Sequence, residues 1–232
     1  MNIIKSTGTF SFYTLISRLL GYLRDILIAI FLGSGAMADA FFVAFRIPNT
    51  FRRLFGEGSF NAAFIPSYSK ELIEGKKNAQ NFASNIFNLL TISLLILLTI
   101  VELFMPLFVS IIAPGFKTDP EKFSLAVQLT KITFPFILFV SLASFFSAIL
   151  NSHNKFAAAS AAPIILNIFL ILILAFGKIL EEKLVIYLSY GVSFAGFIQL
   201  IFLIFFVKKY FVPNIQVNVK ITGKIKFFFK KL

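Results

Sequence analysis

The chain has 232 residues, of which 58% are apolar and only 14% are charged, and its mean hydropathy is +0.90. Because soluble domains carry about 25% charged residues, this composition excludes an ordinary soluble enzyme, a disordered chain and a collagen-like fibre. The sequence contains no cysteine, which excludes disulfide frameworks, thiol catalysis and zinc–thiolate sites. The formal net charge of +12 indicates basic cytoplasmic loops first and an anionic ligand second. No nucleic acid partner is expected.

The N-terminal part of the chain predicts two membrane-spanning helices of unusual polarity. A short cytoplasmic N-terminus, residues 1–7, precedes predicted helices at about 8–32 and 36–64, which the turn Gly33-Ser34-Gly35 separates. Both helices are apolar enough to cross a bilayer, yet together they carry every arginine of the chain. Arg18 interrupts the apolar stretch that a secretory signal peptide needs, so a signal peptide is disfavoured.

Four further spans follow as long runs without a charged residue. About 20 helical residues cross a hydrocarbon core of about 30 Å, and each run reaches that length. The predicted helices lie at about 80–112, 124–151, 157–177 and 184–208. The predicted fold is therefore an all-α polytopic membrane protein with a six-helix transmembrane lobe over residues 8–209. The remaining residues, 210–232, alternate basic with apolar side chains and predict a cytoplasmic or interfacial tail.

The lysines predict the orientation of these helices. With the N-terminus inside, most lysines lie on the cytoplasmic side, including Lys76 and Lys155, whereas lysines on the other side, such as Lys117 and Lys178, lie near acidic residues. Cytoplasmic loops of membrane proteins are enriched in lysine and arginine. Both termini are therefore expected to be cytoplasmic.

The segregation of arginine into the first helix pair is the most informative feature of the sequence. An ionisable group at the centre of a bilayer costs about 2.5 kcal/mol or more, so it normally faces a bundle interior or a wet cavity. Arginine offers a planar, permanently charged fork that suits phosphate. In this pair the cations outnumber the carboxylates, which predicts an anionic ligand. The candidate cavity residues are Arg18, Arg24, Arg52, Arg53, Asp39, Asp25, Arg46, Asn49 and Glu57.

Helical spacing places several of these residues on a shared face. Asp39, Arg46 and Arg53 are seven residues apart, and Asn49 falls in the same stripe. Pro48 removes one backbone hydrogen bond beside them and predicts a kink. Arg18 and Asp25 are likewise seven apart on the first helix.

Simpler interpretations of some of these charges remain open. Arg53 and Glu57 are four residues apart and would neutralise each other on one helix face. Arg52 and Arg53 would also reach the cytoplasmic surface by extending along the helix. Asp39 is alternatively a helix-start charge or a partner to an arginine.

Catalysis finds little support in the sequence. No P-loop, GxGxxG, HExxH or GxSxG motif is present, and the single histidine, His153, falls in a predicted cytoplasmic loop. An enzyme acting on a polyprenyl diphosphate usually needs clustered carboxylates for Mg²⁺ or a histidine nucleophile, and Asp25 and Asp39 lie on separate helices. We expect no enzymatic activity, no cofactor and no metal site.

The charged motifs of the first helix pair resemble the MurJ (MviN) family of lipid II flippases. The resemblance is carried by Asp39-Ala-Phe-Phe-Val-Ala-Phe-Arg-Ile-Pro-Asn49, by Arg52-Arg53-Leu-Phe-Gly-Glu-Gly-Ser-Phe60 and by Ser17-Arg-Leu-Leu-Gly-Tyr-Leu-Arg-Asp25. Shorter matches follow in order at Ala113-Pro-Gly-Phe116, Lys131-Ile-Thr-Phe-Pro135 and Ala148-Ile-Leu-Asn151.

This resemblance implies a fold of the MOP exporter superfamily, in which two pseudo-symmetric six-helix lobes enclose a cavity and this family adds two C-terminal helices. The chain matches the N-terminal lobe of that architecture and stops where a seventh helix is expected. In the family, the matching positions are functionally important cavity residues: Arg18, Arg24, Asp39, Arg52 and Arg53. Arg46 stands where the family often has a basic residue.

The function implied by the resemblance is the movement of lipid II, a precursor linked to undecaprenyl pyrophosphate. The transporter would carry it from the cytoplasmic to the periplasmic leaflet of the bacterial inner membrane by alternating access, with no bond broken. The expected partners are lipid II, membrane lipids and a chain that supplies the C-terminal half. Alternatives stay open: a transporter of another polyprenyl-linked oligosaccharide or anion, or an inactive half that needs a second chain.

Overall fold

The computed structural model describes the backbone of residues 3–56 and 59–216, and the side chains of residues 8–50, 60–181 and 183–216. All regular secondary structure in those ranges is helical, which confirms the predicted all-α fold. The α-helices are α1 (Ile3–Leu32), α2 (Ala36–Gly56), α3 (Ser59–Glu74), α4 (Lys76–Leu103), α5 (Met105–Ile112), α6 (Pro120–Thr133), α7 (Phe136–Ser152), α8 (Phe156–Ala175), α9 (Gly177–Leu180) and α10 (Leu184–Val207). Short 3₁₀ turns lie at Pro114–Thr118 and Glu181–Lys183.

Four helical segments among the described residues are long and apolar enough to cross a membrane. They are α4, the continuous pair α6–α7 over 120–152, α8 and α10. At 30 residues α1 is also long enough to cross, but it carries Arg18, Arg24 and Asp25 along its length. The chain is therefore a polytopic membrane protein whose first helix carries charged residues in its middle.

Several helices end at different residues from those that hydrophobic runs predict. The predicted span 36–64 is divided, because α2 ends at Gly56 and α3 runs from Ser59 to Glu74. The predicted helix 80–112 begins at Lys76 and breaks at Phe104, where φ is −109° and ψ is 27°. Pro106 follows directly in the first turn of α5, where the missing N–H of proline is tolerated.

Helices α1 and α2 pack on different neighbours. The first lies along α8, whereas α2 packs on α6 and α7, and α10 packs on both α7 and α8. The turn between α1 and α2 contains Gly33 with φ of +60°, a left-handed conformation that glycine adopts at little cost. The two helices that carry the arginines therefore belong to different packing groups and meet at this turn.

The core of the lobe is rich in phenylalanine on the side of α3, α4 and α7. Phe145 on α7 is fully buried, and its ring lies 5.1 Å from Phe64 and 5.6 Å from Phe87 between centroids. Phe211, beyond the end of α10, completes the group at 5.7 Å from Phe145. Tilted and edge-on contacts of this kind are the favoured geometries between aromatic rings.

The chain beyond α10 returns along α4. Residues 211–216, here called the linker segment, are not helical and lie against one face of α4. The side chain of Gln80 donates to the carbonyl of Val212, and Asn88 Nδ2 donates to the carbonyl of Asn214 at 2.8 Å. The backbone N–H of Asn214 in turn donates to Ser84 Oγ at 3.2 Å. The first residues of the predicted tail, 210–232, are thus seated on the lobe, and residues 217–232 lie outside the described residues.

Candidate functional site

The guanidinium of Arg24 is held on α1 by two polar neighbours. Its Nε and Nη2 donate to Asp25 Oδ1 at 2.9 and 2.7 Å, and its Nη1 donates to Asn167 Oδ1 at 2.8 Å. The Arg24 side chain is only 12% exposed, whereas that of Asp25 is 63% exposed. Arg24 therefore has a fixed orientation, and its carboxylate partner remains open to exchange.

Asn167 reaches Arg24 from the middle of the apolar helix α8. The residue is buried, and its Nδ2 donates to the backbone carbonyl of Ser17 at 2.9 Å. One amide side chain thus binds both the backbone of α1 and the charged end of Arg24. Because a polar side chain in a membrane span is costly without partners, these two bonds account for its presence in α8.

The ring of Phe45 on α2 lies beside the same guanidinium. The carbon at the centre of the Arg24 fork is 5.3 Å from the Phe45 ring centroid, which is cation–π distance. A guanidinium has five N–H donors, and the contacts with described residues use three of them. The other two N–H groups are available for an anion such as a phosphate.

The remaining candidates with described side chains are more open. Arg18 on α1 and Arg46 on α2 are exposed, and Asn49 is half-buried. Arg18 shares the face of α1 that carries Asp25 seven residues later. The structure thus brings Arg24 and Asp25 into direct contact, and it presents Arg18 and Arg46 on the surface of this lobe.

Asp39 has a partner from a distant part of the sequence. It lies in the first turn of α2, and its Oδ2 pairs with the ammonium of Lys122 at the start of α6. Among the described residues, Asp39 therefore forms its ion pair with a lysine on another helix. Hydrophobic periodicity gives no signal for such a pairing, because the two residues lie on separate helices far apart in sequence.

Three candidates cannot be compared with the structure. The backbone of α2 includes positions 52 and 53, but the side chains of Arg52 and Arg53 lie outside the described residues, as does Glu57. Their membership of the site stays a prediction.

A second polar cluster lies at the end of the lobe where α3, the turn after α7 and the chain after α10 meet. The Tyr68 hydroxyl is 3.2 Å from His153 Nε2, and the His153 ring stacks on Tyr210 at 4.6 Å between centroids. Burial lowers the pKa of His153, and the charge of Lys76 lowers it further. Burial raises the pKa of Tyr68 to about 12. His153 is a packed residue here, although sequence position alone predicts an ordinary loop residue.

The family of the chain follows from comparison with known proteins. A family model described as lipid II flippase MurJ matches residues 28–232. The chain belongs to this family. It is 40% identical over 210 residues to a probable lipid II flippase MurJ of Rickettsia prowazekii, and 43% identical over 205 residues to one of Rhizobium meliloti. These matches cover 90% and 86% of the chain.

Solved structures of a MurJ protein and of a related transporter superimpose on this chain. A lipid II flippase MurJ in an inward closed conformation superimposes with a TM-score of 0.75 at 28% identity, covering 96% of this chain and 46% of that one. A MOP superfamily transporter from Pyrococcus furiosus superimposes with a TM-score of 0.63 at 16% identity, which shows a shared fold. The chain spans 41% and 38% of the two curated relatives, so it corresponds to less than half of a full-length MurJ protein.

Proposed function

We propose that this chain is the N-terminal lobe of a flippase that moves lipid II from the cytoplasmic to the periplasmic leaflet by alternating access. The observation that carries the proposal is the Arg24 guanidinium, which Asp25 and Asn167 orient and which keeps N–H donors for an anion. A pyrophosphate-linked lipid offers such an anion. Membership of the MurJ family supports lipid II as the cargo.

The chemistry of this function is binding, and no covalent bond changes. Arg24 and Arg18 would contact the pyrophosphate, with Arg52 and Arg53 on the neighbouring helix. The mostly exposed Asp25 would hold Arg24 when no cargo is present and would give way when the phosphate arrives. Hydrogen bonds between ionised groups are about twice as strong as neutral ones. Arg24 would exchange one such bond, to a carboxylate, for another, to a phosphate, so the exchange would cost little free energy.

We further propose that the chain lies in the bacterial inner membrane with both termini in the cytoplasm. The enrichment of lysine on one side of the predicted helices supports this orientation. A net positive cavity would also respond to the membrane potential, at about 2.3 kcal/mol per charge per 100 mV.

Substitution of Arg24 in the full-length transporter tests the proposal. Arg24→Ala is expected to abolish rescue of cells depleted of their lipid II flippase, because the cargo loses a contact worth about 1.5–3 kcal/mol. Arg24→Lys is expected to restore rescue only in part, since an ammonium lacks the planar fork. Lys77→Ala, an exposed lysine in the first turn of α4, is the matched control and is expected to have no effect. Normal rescue by Arg24→Ala at normal membrane abundance would overturn the proposal.

A second candidate function is that of a half-transporter that acts only with a second chain. One observation favours it: α1 exposes a row of large apolar side chains. That row comprises Phe12, Leu15, Leu19, Tyr22 and Ile26. The partner would be a chain carrying the C-terminal half.

A further inference from the structure

Asp39 and Lys122 join the ends of α2 and α6 that lie on the same side of the lobe. Asp39 stands in the first turn of α2, where the helix N-terminus favours a carboxylate. Lys122 stands in the first turn of α6, and its ammonium pairs with Asp39 Oδ2. Its side chain is 20% exposed against 53% for Asp39, so the lysine is the more enclosed partner.

The position of Lys122 is fixed independently of Asp39. Its backbone N–H donates to Asp119 Oδ1 at 3.1 Å, which caps α6, and Pro120 begins that helix. Its ammonium also lies 4.4 Å from the ring centroid of Phe116. The Asp119 cap and the Phe116 ring therefore position the Lys122 ammonium independently of its contact with α2.

A second bond joins the same two helices further along. Thr133 Oγ1 at the end of α6 donates to the backbone carbonyl of Ala44 in α2 at 2.9 Å. Between these two points Ala40 and Phe41 of α2 are fully buried. The two helices are therefore joined at the start of each, by charge, and near the other end of α6, by a hydrogen bond.

We propose that Lys122 is a positioning residue that acts through Asp39, and that the pair keeps α2 and α6 together as one body during transport. This inference rests on the proposed function, because it assigns Asp39 a role inside the transporter. Asp39 then serves to hold α2, with Arg46 and Arg52 on it, and does not contact the cargo. Arg46 and Arg52 on α2 would then move together with α6.

The test uses the full-length transporter with a single cysteine, Ala40→Cys, as a reporter of the α2–α6 contact. Ala40 is fully buried, this chain has no cysteine, and any cysteine in the C-terminal half is replaced with serine. Lys122→Gln is expected to raise the rate of labelling by a membrane-impermeant maleimide about fivefold, the effect of losing one partly exposed ion pair. Lys117→Gln, an exposed lysine of the same loop, is the control and is expected to leave the rate unchanged.

Exchange of the two charges separates a pair from two independent roles. The double variant Asp39→Lys with Lys122→Asp is expected to label more slowly than either single variant and to recover transport in part. Recovery is incomplete because a lysine in the first turn of α2 opposes the helix dipole. A labelling rate unaffected by Lys122→Gln, or an exchange variant no better than the single variants, would overturn the proposal.

Transport distinguishes positioning from cargo contact. If Asp39 binds the cargo directly, Asp39→Asn loses rescue while Lys122→Gln keeps it, and the proposal is wrong. If it is a positioning contact, the two variants lose rescue to a similar extent. Labelling needs no cargo, so a wild-type protein that moves no lipid II would overturn the proposed function and leave the labelling result standing.

Discussion

Asn167 is the buried residue that binds the Arg24 guanidinium from α8. We expect Asn167→Leu in the full-length transporter to reduce rescue strongly, because the guanidinium loses a charge-assisted bond worth about 1.5–3 kcal/mol. Membrane abundance is expected to stay normal, since leucine suits the apolar surroundings of α8. Rescue of flippase-depleted cells at matched abundance measures the effect.

The matched control for this variant is Ile168→Ala, the next residue of α8, which is exposed on the outside of the lobe. It is expected to rescue normally. Full rescue by Asn167→Leu would show that Arg24 needs no partner on α8.

His153 predicts a pH dependence of the lobe's stability. Its pKa is lowered below the usual 6.5 by burial and by Lys76, so the unfolded chain binds a proton more readily than the folded one. The contribution of neutral His153 is therefore complete above about pH 6.5 and is lost as the pH falls through the lowered pKa. Thermal unfolding in detergent is expected to occur at lower temperature at pH 5 than at pH 7.5.

The variant His153→Phe keeps a ring beside Tyr210 but cannot titrate. We expect its unfolding temperature to change less between the two pH values than that of the wild type. An equal change in both proteins would contradict the assignment to His153.

At the scale of single residues, the sequence predicts which charged side chains lie in membrane-spanning helices. It does not predict which residues form their ion pairs and hydrogen bonds. Arg24 and Asp25 are adjacent on one helix, where neighbouring side chains do not face each other, so helical spacing does not predict their contact. Asn167 is a single amide in an apolar run, and an asparagine facing lipid would give the same pattern. The sequence predicts that Asp39 pairs with an arginine or stabilises the start of its helix. It does not predict the ion pair with Lys122, because pairing between distant helices depends on how they pack.

At the scale of helices, the linker segment makes a prediction about α4. Gln80, Ser84 and Asn88 are spaced four residues apart, so they share one face of the helix, and each bonds to backbone of residues 212–214. A non-helical segment makes no helical backbone hydrogen bonds of its own, so these side chains satisfy its backbone groups. We expect the double variant Ser84→Ala with Asn88→Leu to release the linker segment, measured as faster hydrogen exchange of the backbone N–H groups of residues 211–216.

Thr91→Val is the control for this prediction, because Thr91 lies on the same helix but its hydroxyl bonds to the carbonyl of Phe87. It is expected to leave hydrogen exchange over residues 211–216 unchanged. Slow exchange in the double variant would mean that the Gln80–Val212 bond and the packing of Phe211 hold the segment without the other two bonds.

The positions of the helices were largely predictable, whereas hydropathy alone does not predict their breaks. Runs of apolar residues without charge mark α4, α7, α8 and α10, because length and lack of charge decide what crosses a bilayer. The break at Phe104 lies between Glu102 and Pro106, which are its signals in the sequence, although the apolar residues continue beyond it to Ile112. Helix α3 continues to Glu74 through Lys70 and Glu71, since charged residues end an apolar run without ending a helix.

At the scale of the whole molecule, the chain spans about two fifths of the curated relatives that it matches. We expect this chain alone to fail to rescue flippase-depleted cells, because half of a cavity cannot alternate between two openings. Co-expression with the C-terminal half of a MurJ protein is expected to restore growth. Rescue by the chain alone would show that two copies of the lobe assemble into a working transporter.

The linker segment also bears on the order in which the protein is made. Helix α4 enters the membrane long before residues 211–216 leave the ribosome, so its amide and hydroxyl groups at 80, 84 and 88 meet lipid or insertion machinery first. The ring contact between Phe145 and Phe211 likewise forms only after Phe211 has been synthesised. The N-terminal lobe therefore completes its packing only after synthesis has passed its last helix, and a nascent chain stalled at α10 leaves these polar side chains of α4 without the backbone partners that residues 212–214 supply.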